Sequence, residues 1–110
     1  MAMFGENACH AWADASMAGT MSLRDSYNVS SVTDVATGRI RFSFATNAVA
    51  SSYAIASLSG NNSGTTTSGR TRNLDSSRAA GNFTIRNLNM NSTNAAVDDT
   101  YIGMIVFMDT

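Results

Sequence analysis

Wherever this chain carries a clear pattern, apolar and polar positions alternate with a period of two. In GRIRFSFAT (38–46), Ile40, Phe42 and Phe44 fall on one side while Arg39, Arg41 and Ser43 fall on the other, the signature of a strand with one wet face. Two upstream segments, TMSLRD (20–25) and YNVSSVTD (27–34), read the same way through Met21 and Leu23, then Val29 and Val32. Val32 is out of step with Val29, which predicts a bulge. DVATG (34–38) is short enough for a hairpin, and Gly38 can take the positive φ that the exit of such a turn requires. Further strands are predicted at SYAIASLS (52–59) and GNFTIRNLNM (81–90), where Phe83 and Ile85 alternate with Thr84 and Arg86.

The last segment, TYIGMIVFM (100–108), differs because both of its faces are apolar. Tyr101, Ile105 and Phe107 point one way; Ile102, Met104, Val106 and Met108 point the other. A strand of that kind is covered on both sides, either deep in a sandwich or against another subunit, and these seven residues are the candidate oligomer interface. SGNNSGTTTSGRTRN (59–73) and NMNSTNAAVDD (89–99) are runs of turn formers that predict exposed loops. The best candidate for a helix is the short AWADASMA (11–18). The expected fold is all-β: an antiparallel β-sandwich of short strands with polar loops at its ends. A chain of 110 residues suits a single domain spanning 1–110, with 1–18 as an N-terminal segment and 59–73 as a long exposed loop.

Charge then removes whole classes of partner. The formal net charge is -1, and charged residues make up only 14% of the chain, against roughly 25% in an average domain. That leaves no clustered cationic footprint for nucleic acid or for anionic lipid. All seven cations are Arg, whose planar forks suit fixed hydrogen bonding. No window approaches the ~20 apolar residues of a membrane span, and the opening MAMFGENACHAWADASMAG lacks the basic and apolar regions of a secretory signal. No membrane insertion is expected.

Candidate chemistry is sparse. His10 is the one imidazole and Cys9 the one thiol, and neighbours on a strand face opposite ways, which argues against a catalytic pair. One Cys and one His do not make a metal site, and a thiol without a partner in the chain reads as a small buried hydrophobe. Asp98 and Asp99 precede the last strand in a turn, where Asp commonly caps backbone N–H groups. No phosphate-binding glycine motif occurs. The expectation is a protein without catalytic residues, metal or cofactor. Trp12 reads as an interface or core anchor, or as a platform for a sugar ring. Arg70 and Arg72, placed in the predicted loop with Asn61, Asn62 and Asn73, are the candidate contacts to a receptor.

The run from GTMSLRDSYNVSSVTDVATGRIRFSFAT (19–46) through SYAIAS to the closing GNFTIRNLNMNSTNAAVDDTYIGMIVFMDT resembles a small domain at the C-terminal ends of bacteriophage tail fibres and related virion proteins, especially of marine and cyanobacterial phages. The match is close over 19–46; beyond residue 58 it rests on loop length and the apolar final strand. AWADASMAG stands where those domains carry Val-Asn-Phe after the Trp, DVATG replaces an Asn-Gly turn, and the Pro usual after Phe-Ala-Thr is missing from NAVASSY. The resemblance implies a non-enzymatic virion protein, a homotrimeric tail-fibre or tip domain attaching to the host cell. Its partners would be its own copies, other virion proteins, and a host surface glycan or protein receptor. With Met1 at its start and no shaft ahead, the chain is expected to be a fragment or a free-standing tip. A capsid decoration or head-fibre protein, and a small carbohydrate-binding module, are the competing expectations.

Overall fold

The computed structural model describes residues 9–60, 70–75, 78–90 and 95–108. Eight strands run in chain order: β1 (Cys9–Ser16), β2 (Ser22–Tyr27), β3 (Val29–Ala36), β4 (Arg39–Phe44), β5 (Ala54–Gly60), β6 (Arg70–Leu74), β7 (Asn82–Asn89) and β8 (Tyr101–Phe107). They form two four-stranded antiparallel sheets, one ordered β2-β1-β8-β5 and the other β3-β4-β7-β6. The all-β expectation holds, and no helix occurs among the described residues.

The core lies between the sheets. From the first come Ala11, Ala13 and Ala15 of β1 with Ile102, Met104 and Val106 of β8. From the second come Val29, Ile40, Phe42, Phe44, Phe83 and Ile85. The three alanines of β1 leave depth that the rings of β4 and β7 occupy, an interlock of small against large. Phe42 and Phe83 stack with centroids 5.5 Å apart, and Phe44 meets Tyr53 edge-on at 5.6 Å.

Residues 11–18 are a correction to the sequence reading. They lie mostly in β1, which pairs with β2 on one side and β8 on the other. Alanine favours helix only weakly as a local preference, and tertiary pairing overrides it. The alternation of Ala11, Ala13 and Ala15 with Trp12 and Asp14 is a strand pattern written in small residues. The predicted loop 59–73 is corrected at both ends, because β5 continues to Gly60 and β6 takes up Arg70–Leu74.

One left-handed residue builds the passage between the sheets and another closes a hairpin within the second sheet. Asn28 joins β2 to β3 with φ 57°, a left-handed conformation that Asn tolerates better than most residues. Its amide nitrogen donates to the His10 and Thr46 carbonyls, both at 3.1 Å, and its Oδ1 accepts from the Thr46 N–H at 2.7 Å. One side chain thus ties the first strand and the end of β4 to the corner. Gly38 closes the β3–β4 hairpin at φ 73°. A Cβ there would lie 2.8 Å from the Asn87 carbonyl oxygen and from the Val97 nitrogen. Gly38→Ala is expected to cost at least about 2 kcal/mol, read as a lower urea midpoint. An unchanged midpoint would show that the turn can shift at no cost.

Candidate functional site

Three features outside the apolar core could act: the outer face of the first sheet, a polar cluster between the sheets, and a cleft at one sheet edge.

The outer face is built by strand register. Trp12 stands opposite Tyr27 on one side and Ile105 on the other, and Ile105 opposite Ala56, so one row crosses all four strands. Phe107 lies opposite Ala54, and Leu58 opposite Gly103. Leu58 is 76% exposed, Tyr27 56%, Ile105 41%, Phe107 40% and Trp12 37%. Missing a side chain at Gly103, the sheet forms a shallow groove of about 430 Å³ between Trp12, Leu58 and Ile105. The charge on this face is paired: Asp14, opposite Gly103 and in the row next to Trp12, accepts from Arg24 at 3.1 Å, and Arg24 also donates to the Ala15 carbonyl at 2.8 Å and lies over the Tyr101 ring.

This face divides the seven interface candidates. Tyr101, Ile105 and Phe107 are on it, while Ile102, Met104, Val106 and Met108 turn inward and are buried by the chain itself. The two-sided apolar pattern is therefore accounted for on one side by the core. The other side stands open.

Arg70 and Arg72 are a second correction. They are on β6, not in a loop, and register places them on the same face as Asn87 and Ile85, towards the opposite sheet. Arg70 grips Asp99 through Nε to Oδ2 at 2.8 Å and Nη2 to Oδ1 at 3.1 Å. Their side chains are 8% and 1% exposed. Asn87 Nδ2 donates to Asp99 Oδ2 at 2.8 Å and to the Val97 carbonyl at 3.0 Å, and its Oδ1 accepts from Ser59 Oγ at 2.7 Å. Arg72 donates to Ser59 Oγ and to the Ser57 carbonyl, each at 3.0 Å. Here the planar fork of Arg holds two sheets together where apolar side chains are lacking. Asp98 caps as expected, accepting from the Gly38 N–H at 2.7 Å, whereas Asp99 is the buried partner of an ion pair. Asn73 is exposed on β6; Asn61 and Asn62 lie outside the described residues.

His10 and Cys9 make separate contacts. The ring of His10 sits edge-on to Phe44 at 4.8 Å and lies 3.2 Å from Asn28 Nδ2, while Cys9 Sγ faces the Ala11 carbonyl. Cys9 is half-buried. Among the described residues no group of three His, Cys, Asp or Glu side chains could hold a metal, and no helix is long and apolar enough to cross a membrane.

Tyr53 is the described residue whose acidity is clearly shifted. Burial pushes its hydroxyl above the usual 10.0, and the positive charge of Arg78 offsets part of that. The hydroxyl donates to the Ala79 carbonyl at 2.7 Å and lies 3.1 Å from that of Asn82. Because the folded-state value is the raised one, the associated stability is complete below pH 10 and is lost as pH rises through the folded-state value. Denaturation midpoints should fall above pH 10 and fall less in Tyr53→Phe; equal slopes would contradict the assignment.

In comparison with known proteins, no family model, no curated sequence and no solved structure matches this chain. What the structure defines is a class: an antiparallel two-sheet sandwich with one sheet face left apolar and open.

Proposed function

We propose that this chain is a non-enzymatic virion structural protein of a bacteriophage, a distal tail-fibre or tip domain that associates with its own copies and mediates attachment to the host surface. The observation that carries the reading is the outer face of β2-β1-β8-β5. Six large apolar side chains, each more than a third exposed, share one sheet face, and the carboxylate that stands among them, Asp14, is paired with Arg24. Such a contiguous patch marks an interaction surface. Aromatic residues on such a patch, with its cation held in an ion pair, match the composition of protein interfaces. The homotrimer comes from the resemblance of residues 19–46 to tail-fibre tips, in which three copies of one contact close a ring. The same architecture would serve a capsid decoration or head-fibre protein, and labelling of virions separates the two locations.

The groove favours a protein occupant over a sugar. Trp12 is flanked there by Ile105, Leu58, Ala56 and Gly103, not by the hydrogen-bonding groups that fix a sugar's hydroxyls.

Gly103→Leu tests the reading without disturbing the fold. A Cβ at Gly103 meets nothing closer than the Ala13 carbonyl oxygen at 3.6 Å, an ordinary contact, so the chain accommodates the side chain and the groove fills. Sedimentation velocity should show an assembled wild type and a folded, dissociated variant. An assembled variant would place the contact elsewhere.

A further inference from the structure

The free edges of the two sheets, β5 and β6, leave a cleft of about 400 Å³ between them. Its lining is Ile55, Ser57, Arg72, Asn73, Leu74, Arg78 and Ile85. We infer that this cleft is a binding site for a carboxylate-bearing sugar unit, the acidic residue of a surface polysaccharide. The inference deepens the attachment reading and rests on it, since it names the chemical class of the host-surface ligand.

Charge is the first argument. The lining has two guanidinium groups and no carboxylate. The nearby acids are committed elsewhere: Asp99 to Arg70, and Asp75 to Arg86 at 2.8 Å with Arg39 at 3.6 Å. Both cleft cations are held in place yet keep donors to spare. Arg72 spends Nε and Nη1 on Ser57 and Ser59, so its Nη2 takes no partner among the described residues. Arg78 donates through Nη1 to the Tyr53 carbonyl and lies over the Tyr53 ring, 5.6 Å from its centroid, leaving Nε and Nη2. Two anchored forks that retain N–H groups suit a planar carboxylate.

Shape and the rest of the lining narrow the ligand. The volume lies near the lower end of the ~300–1,000 Å³ typical of small-molecule sites, which fits one or two sugar rings. Ile55, Ile85 and Leu74 offer an apolar wall for the C–H face of a ring. Ser57 Oγ donates to the Gly103 carbonyl at 2.8 Å and keeps its lone pairs for a ligand hydroxyl. The site is at the sheet edges, apart from the row of Trp12, Ile105 and Tyr27 that the assembly would cover.

The test is an NMR titration of the full chain with D-glucuronate, and with D-glucose and acetate as controls for ring alone and charge alone, while sedimentation velocity follows the oligomeric state of the same sample. D-glucuronate should shift resonances of β5 and β6 and bind at least about tenfold more tightly than either control. Arg78→Gln should weaken that binding roughly tenfold. Leu74→Asp, an exposed position on the cleft side of β6, should weaken it at least as much by placing an acid in the lining. Equal binding of D-glucose, or D-glucuronate binding untouched by both variants, overturns the inference. Absence of D-glucuronate binding by an assembled protein also overturns it while leaving the assembly reading intact. Binding by a chain that sediments as a monomer supports the cleft and contradicts the assembly.

Discussion

Ile105→Asp should leave the chain folded and turn its assembly into monomers, whereas Val106→Asp, one position along, should prevent folding altogether. The contrast follows from the period of β8. Val106 is fully buried between the sheets, and an ionised carboxylate there would have no partner. Its burden exceeds what a domain with ~5–15 kcal/mol of stability can absorb. Ile105 is 41% exposed, opposite Trp12 and Ala56, so a carboxylate there stays hydrated until a second copy tries to cover it. Covering it then means burying an unpaired charge at the centre of an interface, which costs several kcal/mol. Circular dichroism should show β structure for Ile105→Asp and its loss for Val106→Asp. A folded Val106→Asp would mean that β8 faces the other way.

The second large effect concerns the ion pair between the sheets. Asp99→Ala should destabilise the chain by about 3–5 kcal/mol, because it leaves the Arg70 guanidinium buried without its carboxylate and takes a partner from Asn87. For a domain of this size that corresponds to a fall in Tm of at least about 12 °C. The double variant Arg70→Met with Asp99→Leu should lose less than Asp99→Ala alone, since no charge is stranded. If the double variant loses more than the single one, the pair stabilises the fold by its own attraction and not merely by mutual satisfaction.

Much of the sandwich was legible because a strand with one wet face writes itself in alternation. GRIRFSF and FTIR did so, the closing YIGMIVF stood out as a segment apolar on both faces, and β4, β7 and β8 follow them. The motif RDSYNVSS was legible as pattern only. Its physical content is that Asn28 takes a left-handed corner and ties three segments together, which depends on contacts to His10 and Thr46, each 18 residues away. β1 was missed because its inward residues are alanines, which carry too little hydrophobic contrast to mark a face. β6 was missed for the opposite reason: its inward residues include two arginines, which read as solvated. Their partners, Asp99 for Arg70 and Ser57 for Arg72, stand 29 and 15 positions away in sequence. No local pattern reveals such a pairing. The edge cleft was hidden for the same reason, as it exists only once the edge strands β5 and β6 of the two sheets come side by side.

The apolar face was half legible. Periodicity gave two greasy sides to the last strand, and the structure shows that one is occupied by the core while the other joins Trp12, Tyr27 and Leu58 on a surface that four strands build. Whether copies of the chain meet across that surface is tested most directly by sedimentation equilibrium of the purified full chain over a wide concentration range. A mass three times that of the 11.6 kDa chain, reduced to one in Ile105→Asp, is the predicted result. A wild-type mass of 11.6 kDa at every concentration would contradict it.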